Sequence, residues 1–244
     1  MKASINLSIV IPCYNESGNI PLILERFTEV ISNKQDVEVI LVNNGSTDGS
    51  ALVFDRELGK LNDDRFRVVN VEKNQGYGYG ILAGLKEAKG EVLAWTHADM
   101  QTDPKDVLIA FEKYAEFSDP YVFVKGRRKK RDWIPAFFTW GMQVIASTAL
   151  KVSLVDIGAQ PKLFSRKFYQ DFIKTNAPYD FSLDLYAQYW AKKKGRIVEI
   201  PVYFTKRLHG EAKGGGSIKT RFKVTNRTIK YIFHLKKELA GQAS

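Results

Sequence analysis

Glu91-Val92-Leu93-Ala94-Trp95-Thr96-His97-Ala98-Asp99-Met100-Gln101-Thr102-Asp103-Pro104 is the stretch whose reading decides the fold. An apolar strand ends in imidazole, carboxylate and amide side chains, and the chain re-enters a helix at Asp-Pro. This arrangement presents oxygen ligands at the carboxyl edge of a sheet, where open α/β folds bind ligands. An oxygen-rich cluster there suits Mg²⁺ or Mn²⁺ bridging a diphosphate. The competing reading is a solvated turn in which Asp103 caps the following helix.

Working outward, residues 7–125 alternate strand and helix. Leu7 to Ile11 reads as a strand, and Pro21 opens a helix through about Ile31, a favourable place for proline. Val37 to Val42 is a second strand, with a helix from about Ser50 to Leu58 after it. Phe66 to Val71 is a third, followed by a Gly-rich turn and a helix ending at Gly90. Strand 91–96, helix 105–117 and strand 121–125 complete the series. Repeated βα units with short connections predict right-handed crossovers and a mostly parallel sheet flanked by helices.

At 244 residues and 44% hydrophobic, the chain is large enough for one sizeable core. The single cysteine, Cys13, excludes an intrachain disulfide and fits a reducing compartment. It sits within an apolar strand and reads as a small buried hydrophobe. Met1 to Ser4 runs straight into a strand-like segment, which argues against a signal peptide. The net charge of +10 calls for an anionic partner. Six of the seven residues from Lys125 to Arg131 are cationic, and Lys219 to Lys237 forms a second basic stretch. No helix-turn-helix, zinc-ligand or RNA-platform pattern accompanies this charge, so a nucleic-acid partner is not expected.

Beyond residue 126 the pattern loosens. Ile134 to Leu150 is a run of 17 uncharged residues. It is too short and too polar for a membrane span. It reads either as a buried helix, the default, or as an interfacial one beside the polybasic run. In the tail, Phe222, Thr225, Ile229, Ile232 and Phe233 fall on one helical face, predicting a basic amphipathic helix over 218–244 behind a main domain of residues 1–217. That helix packs on its own domain or lies on anionic lipid.

Every strand of the first half ends in polar or glycine-rich sequence: Pro12-Cys13-Tyr14-Asn15-Glu16, Asn43-Asn44-Gly45-Ser46-Thr47-Asp48-Gly49-Ser50, Asn74-Gln75-Gly76-Tyr77-Gly78-Tyr79-Gly80 and the His97/Asp99/Gln101 cluster. Each alone is a turn signature. Four in register at one sheet edge form a nucleotide pocket, with Tyr14 against a base or ribose, Glu16 and Asn44 on a base, and glycines admitting close approach of the backbone to a ligand.

In this order the motifs resemble family 2 glycosyltransferases with the GT-A fold, and among them the dolichyl- and polyprenyl-phosphate sugar synthases. The resemblance spans roughly residues 7–220. It implies a nucleotide diphosphate sugar as donor, a divalent cation (Mg²⁺ or Mn²⁺) on an Asp-x-Asp motif, and inversion at the anomeric carbon. Carried over by position, Pro12, Tyr14, Glu16, Asn44 and Asp48 hold the nucleoside, with Gly76 on the donor side. His97, Asp99 and Gln101 take the metal and diphosphate positions. Arg128 matches an arginine after the fifth strand, Lys162 lies near where an arginine is usual, and Arg207, Ser217 and Lys219 resemble a late element that clamps phosphates. Fixed cations there offset charge on the leaving group.

Three departures stand out. His97 replaces the first Asp of Asp-x-Asp, and imidazole suits Mn²⁺ better than Mg²⁺. Asn43-Asn44 replaces Asp-Asp. Gly158-Ala159-Gln160-Pro161-Lys162 replaces a Gly-Phe-Arg element on the acceptor side. A hydroxyl acceptor needs a general base, for which Asp184 is the candidate, its alternative role being a first-turn acid on a helix dipole. Asp180 reads as a cap. A lipid phosphate is already ionised and needs positioning. The basic runs and the apolar segment favour a polyprenyl phosphate acceptor at the cytoplasmic membrane face, with the protein cytoplasmic and peripheral. The alternative is a saccharide hydroxyl in surface-polysaccharide assembly, with Asp184 as base.

Overall fold

The computed structural model describes residues 4–129, 133–205, 207, 209 and 218–241, with backbone only at 133–140 and 218–221. The strands are β1 (Leu7–Cys13), β2 (Val37–Asn44), β3 (Phe66–Val71), β4 (Val92–Trp95), β5 (Val122–Lys129), β6 (Lys162–Ser165) and β7 (Arg196–Tyr203). The helices are α1 (Ile20–Val30), α2 (Ser50–Leu61), α3 (Tyr77–Glu87), α4 (Lys105–Ala115), α5 (Trp133–Leu150), a short α6 (Arg166–Phe168) running into a π-helical turn, α7 (Leu183–Lys194) and α8 (Ile218–Gly241). All seven strands join one sheet in the order β3-β2-β1-β4-β6-β5-β7. β6 alone runs antiparallel to its neighbours β4 and β5. The expected mostly parallel sheet with flanking helices is what forms.

Strand alternation splits the core. Leu7, Ile9, Ile11 and Cys13 of β1 face one cluster with Ile23 and Phe27 of α1 and Val107 of α4. Val10 of β1 faces the other, with Ile81 and Leu85 of α3, Leu185 of α7 and Ile232 of α8. Cys13 is fully buried, and burial with the nearby Glu16 charge pushes its thiol far above the usual range, as expected of a packing residue.

The polybasic run is mostly strand, because β5 continues to Lys129. Alternation sends its cations to different places. Lys125 is fully buried 3.2 Å from Glu199, Arg127 pairs with the same carboxylate at 2.9 Å, and Arg128 is held by Asp156. Burial lowers the Lys125 pKa to about 8. Three of the charges that suggested an open basic patch are therefore spent on internal pairs.

Two further expectations change. The described part of α5 is only half-buried: Ala146 and Leu150 face the core while Val144 and Ile145 are exposed. The tail stripe is rotated. Thr228, Ile232 and Leu235 are buried, whereas Phe222 and Phe233 are exposed. The spacing 228, 232, 235 is the narrower face that a helix presents to one neighbour, and α8 packs on α5.

Glycine fixes one tight junction. Gly76 has φ +126°, and a Cβ there meets the Tyr179 carbonyl oxygen at 2.3 Å. The Tyr79 N–H donates to that same oxygen at 2.9 Å. Gly76 and Gly78 thus admit loop 178–180 against the start of α3, rather than a ligand alone. We expect Gly76→Ala to cost about 1–3 kcal/mol in denaturant unfolding, through strained φ and displacement of that loop. A loss below about 0.5 kcal/mol would show that the junction yields freely.

Candidate active site

The ends of β1, β2 and β4, the start of α3 and the loops before β6 and α7 converge on a cleft of about 540 Å³. Its lining includes Pro12, Tyr14, Glu16, Asn44, Gly76, His97, Asp99, Gln101, Arg128, Asp184 and Arg207, all expected from the sequence. Parallel strands deliver their ends to the same edge, which is why loops far apart in sequence meet here.

At the end of β4, the Asp99 carboxylate accepts from the Gln101 N–H at 3.1 Å and pairs with Arg207 at 2.6 Å. Arg207 also lies 3.5 Å from Glu16, so one guanidinium sits between two carboxylates. The Gln101 side chain donates to the Thr205 carbonyl at 3.2 Å, tying this corner to the segment carrying Arg207. His97 places Nδ1 3.9 Å from Asp99 and Nε2 3.1 Å from the Tyr77 hydroxyl. Burial lowers the pKa of His97 and raises that of Tyr77, leaving both neutral at pH 7. At the start of α4 the Asp103 Oδ1 accepts from the Lys105 N–H at 2.9 Å, the capping contact expected of that residue.

Asp184 is buried at the floor of the opposite side. Lys162 lies 2.9 Å from its Oδ1, with the Trp95 indole N–H at 3.2 Å and the Gln160 amide at 3.3 Å. The same Gln160 nitrogen donates to the Tyr77 hydroxyl at 3.2 Å. A continuous polar chain therefore joins His97, Tyr77, Gln160, Asp184 and Lys162. Two of the three departures from the family pattern, His97 and the Gln160-Pro161-Lys162 segment, are parts of this single chain.

Some expected residues sit elsewhere. Lys162 is fully buried beneath Asp184 and does not line the cleft; burial lowers its pKa, which the Asp184 charge opposes. Asp48 lies outside the lining, its oxygens accepting from the Ser50 N–H at 2.9 Å and the Ser17 N–H at 3.3 Å, which ties the β1 loop to α2. Asn44 donates to the Gly76 carbonyl at 2.9 Å, steadying the third loop. Asp180, expected to cap, accepts from the Ser182 N–H at 2.8 Å in the turn just before α7 rather than from a helix N–H. Arg128 lies within β5 rather than after it. Ser217 falls outside the described residues, as does the Lys219 side chain.

Reading the sequence missed Tyr77, Phe181, Phe204 and Arg227 in the lining. Tyr77 and Phe181 stack with centroids 4.9 Å apart. The Tyr-Gly repeat at 77–80 was a signal for Tyr77, whereas Arg227 lies on a helix whose docking no local motif announces.

The carboxyl edge of this α/β sheet gathers an arginine-bridged acidic corner, an aromatic wall and a Gly-rich helix start, at the place where open α/β folds bind ligands. Residues 8–183 match the model of glycosyl transferase family 2, and the chain belongs to that family. Curated relatives include an undecaprenyl-phosphate 4-deoxy-4-formamido-L-arabinose transferase of Proteus mirabilis, 27% identical over 210 residues, covering 85% of this chain and 62% of the relative. Another of the same description, from Pseudomonas fluorescens strain SBW25, is 29% identical over 213 residues, covering 85% and 59%. The chain spans about three fifths of the length of these relatives. Among solved structures, glucosyl-3-phosphoglycerate synthase of Mycobacterium tuberculosis in complex with UDP superposes with TM-score 0.74 at 15% identity, over 97% of this chain and 82% of that one. A mannosyltransferase of Pyrobaculum calidifontis in complex with GDP-Man and Mn²⁺ gives 0.62 at 18% identity, over 99% and 76%. The fold expected from the resemblance is thereby found.

Proposed function

We propose that this chain transfers a sugar from a nucleotide diphosphate sugar to a polyprenyl phosphate, with inversion at the anomeric carbon. The observation that carries the acceptor is the state of the carboxylates in the cleft. Arg207 bridges Asp99 and Glu16 and Lys162 neutralises Asp184, so each of the three buried carboxylates of the cleft is paired with a cation. A general base needs a carboxylate whose charge is not already held by such a partner. A phosphate monoester needs none, because it arrives ionised. Its oxygen attacks the anomeric carbon as the bond from that carbon to the diphosphate breaks, and the electron pair leaves with the nucleoside diphosphate.

The donor half is read from the residues. Tyr14, Pro12 and Asn44 are assigned to the nucleoside and Asp99 and Arg207 to the diphosphate; Glu16, expected on the nucleoside, is assigned with them because it lies 3.5 Å from Arg207. Among the described residues no cluster of three His, Cys, Asp or Glu side chains holds a metal by itself. The corner still fits a divalent cation arriving with the diphosphate, since its two carboxylates already draw a cation and the neighbouring imidazole is neutral. Asp99, with His97 and Gln101 beside it, would hold that Mn²⁺ or Mg²⁺, which offsets charge on the departing diphosphate. Arg207, next to Asp99, supplies a second fixed positive charge to the leaving group.

The apolar surface supports a peripheral position on the cytoplasmic membrane face. Phe222 and Phe233 are exposed on α8 among the exposed Lys223, Lys230, Lys236 and Lys237, and Val144 and Ile145 are exposed on α5. Among the described residues, no helix is long and apolar enough to cross a membrane.

The test incubates the protein with Mn²⁺, a panel of labelled UDP- and GDP-sugars and either farnesyl phosphate or soluble oligosaccharides. Label appearing in an acid-labile lipid-phosphate sugar is the expected result. Transfer to oligosaccharides alone would replace this reading with the saccharide one.

A further inference from the structure

Three arginines line the cleft, and they differ in how they are held. Arg128 is bound by Asp156 through its backbone N–H at 2.7 Å and its Nε at 2.8 Å, and its guanidinium lies 5.3 Å over the Phe204 ring. Arg207 is clasped by Asp99 and Glu16. Their side chains are 17% and 18% exposed. Arg227 is 56% exposed, and its Nε stands 3.8 Å from Asp180 Oδ2, beyond hydrogen-bond distance.

We propose that Arg227, carried by α8, receives the anionic group of the acceptor, a phosphate monoester. This rests on the reading of the cleft as a sugar-transfer site with a phosphate acceptor. Arg227 has a fixed place, since its neighbour Thr228 is buried and back-bonds to the Val224 carbonyl at 3.0 Å, and Ile232 and Leu235 hold the next turns. Its side chain therefore reaches the cleft from a helix locked to the domain. Arginine suits a phosphate because its fork donates two parallel hydrogen bonds to two oxygens. Asp180 is a weak competitor: one of its oxygens is committed to the Ser182 N–H, and the other is too far from Arg227 to hydrogen-bond. An incoming dianion displaces such a contact at little cost, because half-exposed ion pairs at this distance are weak. Phe181, next to Asp180 and stacked on Tyr77, offers an apolar wall to the first carbons behind the phosphate. On this assignment α8 is a wall of the active site, not an appendage behind it.

The experiment measures binding of farnesyl phosphate, inorganic phosphate and UDP to the whole chain by titration calorimetry. Arg227→Ala is expected to weaken farnesyl phosphate about tenfold or more while UDP stays within about twofold, the size of one lost charge-assisted contact. Arg227→Lys should restore part of the loss. Asp180→Asn keeps the accepting oxygen but removes the competing charge, and is expected to tighten farnesyl phosphate, a gain that a merely structural residue does not give. Farnesyl phosphate affinity unchanged in Arg227→Ala, or UDP affinity lost in its place, overturns the proposal alone. No farnesyl phosphate binding by the unaltered protein overturns the acceptor reading itself. Inorganic phosphate bound as tightly as farnesyl phosphate would reassign the site to free phosphate.

Discussion

Asp99→Asn is expected to lower sugar transfer by about 10²–10³-fold at saturating donor and Mn²⁺, the scale of removing one fixed electrostatic contact to a leaving group. The substitution keeps the shape of the side chain and the Oδ1 that accepts from the Gln101 N–H. It removes the charge that Arg207 grips at 2.6 Å. Glu16, 3.5 Å from the same guanidinium, remains to hold it, so the fold is expected to survive. The loss should therefore appear in turnover and in the Mn²⁺ concentration needed for half-maximal rate, with an unfolding midpoint close to that of the parent. Unaltered turnover would remove Asp99 from the chemistry and leave it a strut for Arg207.

The second large effect is on stability. Lys162→Met is expected to cost about 3–5 kcal/mol, because it strands the buried Asp184 carboxylate without its counter-charge. Lys162 is fully buried and Asp184 nearly so, with 2.9 Å between the charged atoms. Asp184→Asn leaves the ammonium stranded in the same way. The double variant Lys162→Met/Asp184→Asn should recover most of the loss, since neither charge is left alone. Guanidinium unfolding of the four proteins gives the coupling; additive losses would mean the pair is not a unit. Turnover of the double variant then bears on Asp184 as a base. Transfer that persists once folding is restored excludes that role.

The donor half of the molecule was legible because parallel strands repeat a simple signal. β1, β2 and β4 are mostly apolar runs, buried on both faces, and each ends in a polar turn. These three ends, with the Gly-rich turn after β3, had to share one edge, and the cleft lies there. The acceptor half was not legible for equally physical reasons. β6 has only four residues and begins with Lys162, a residue that reads as surface until the Asp184 carboxylate beneath the cleft is seen to neutralise it. β7 alternates weakly and contains Pro201, as an edge strand can. Charge runs misled most. Lys125, Arg127 and Arg128 look like one basic patch in sequence, but their partners Glu199 and Asp156 lie 28 or more residues away. The same holds for the tail, where both Phe222 and Ile232 fit an apolar stripe and only docking on α5 shows which is covered.

The reversed direction of β6 has a consequence for how such a protein can diversify. The nucleotide-side loops all follow strand ends in the parallel half, whereas residues 156–161 reach the cleft just before a strand begins. On the proposed function, binding of the two substrates is written on largely separate stretches of chain, which meet in the interior at contacts such as Tyr77–Gln160. Drift in the 156–161 segment can retune what is glycosylated while the nucleotide handle stays untouched. A lineage built on this plan can exchange acceptors without relearning its donor.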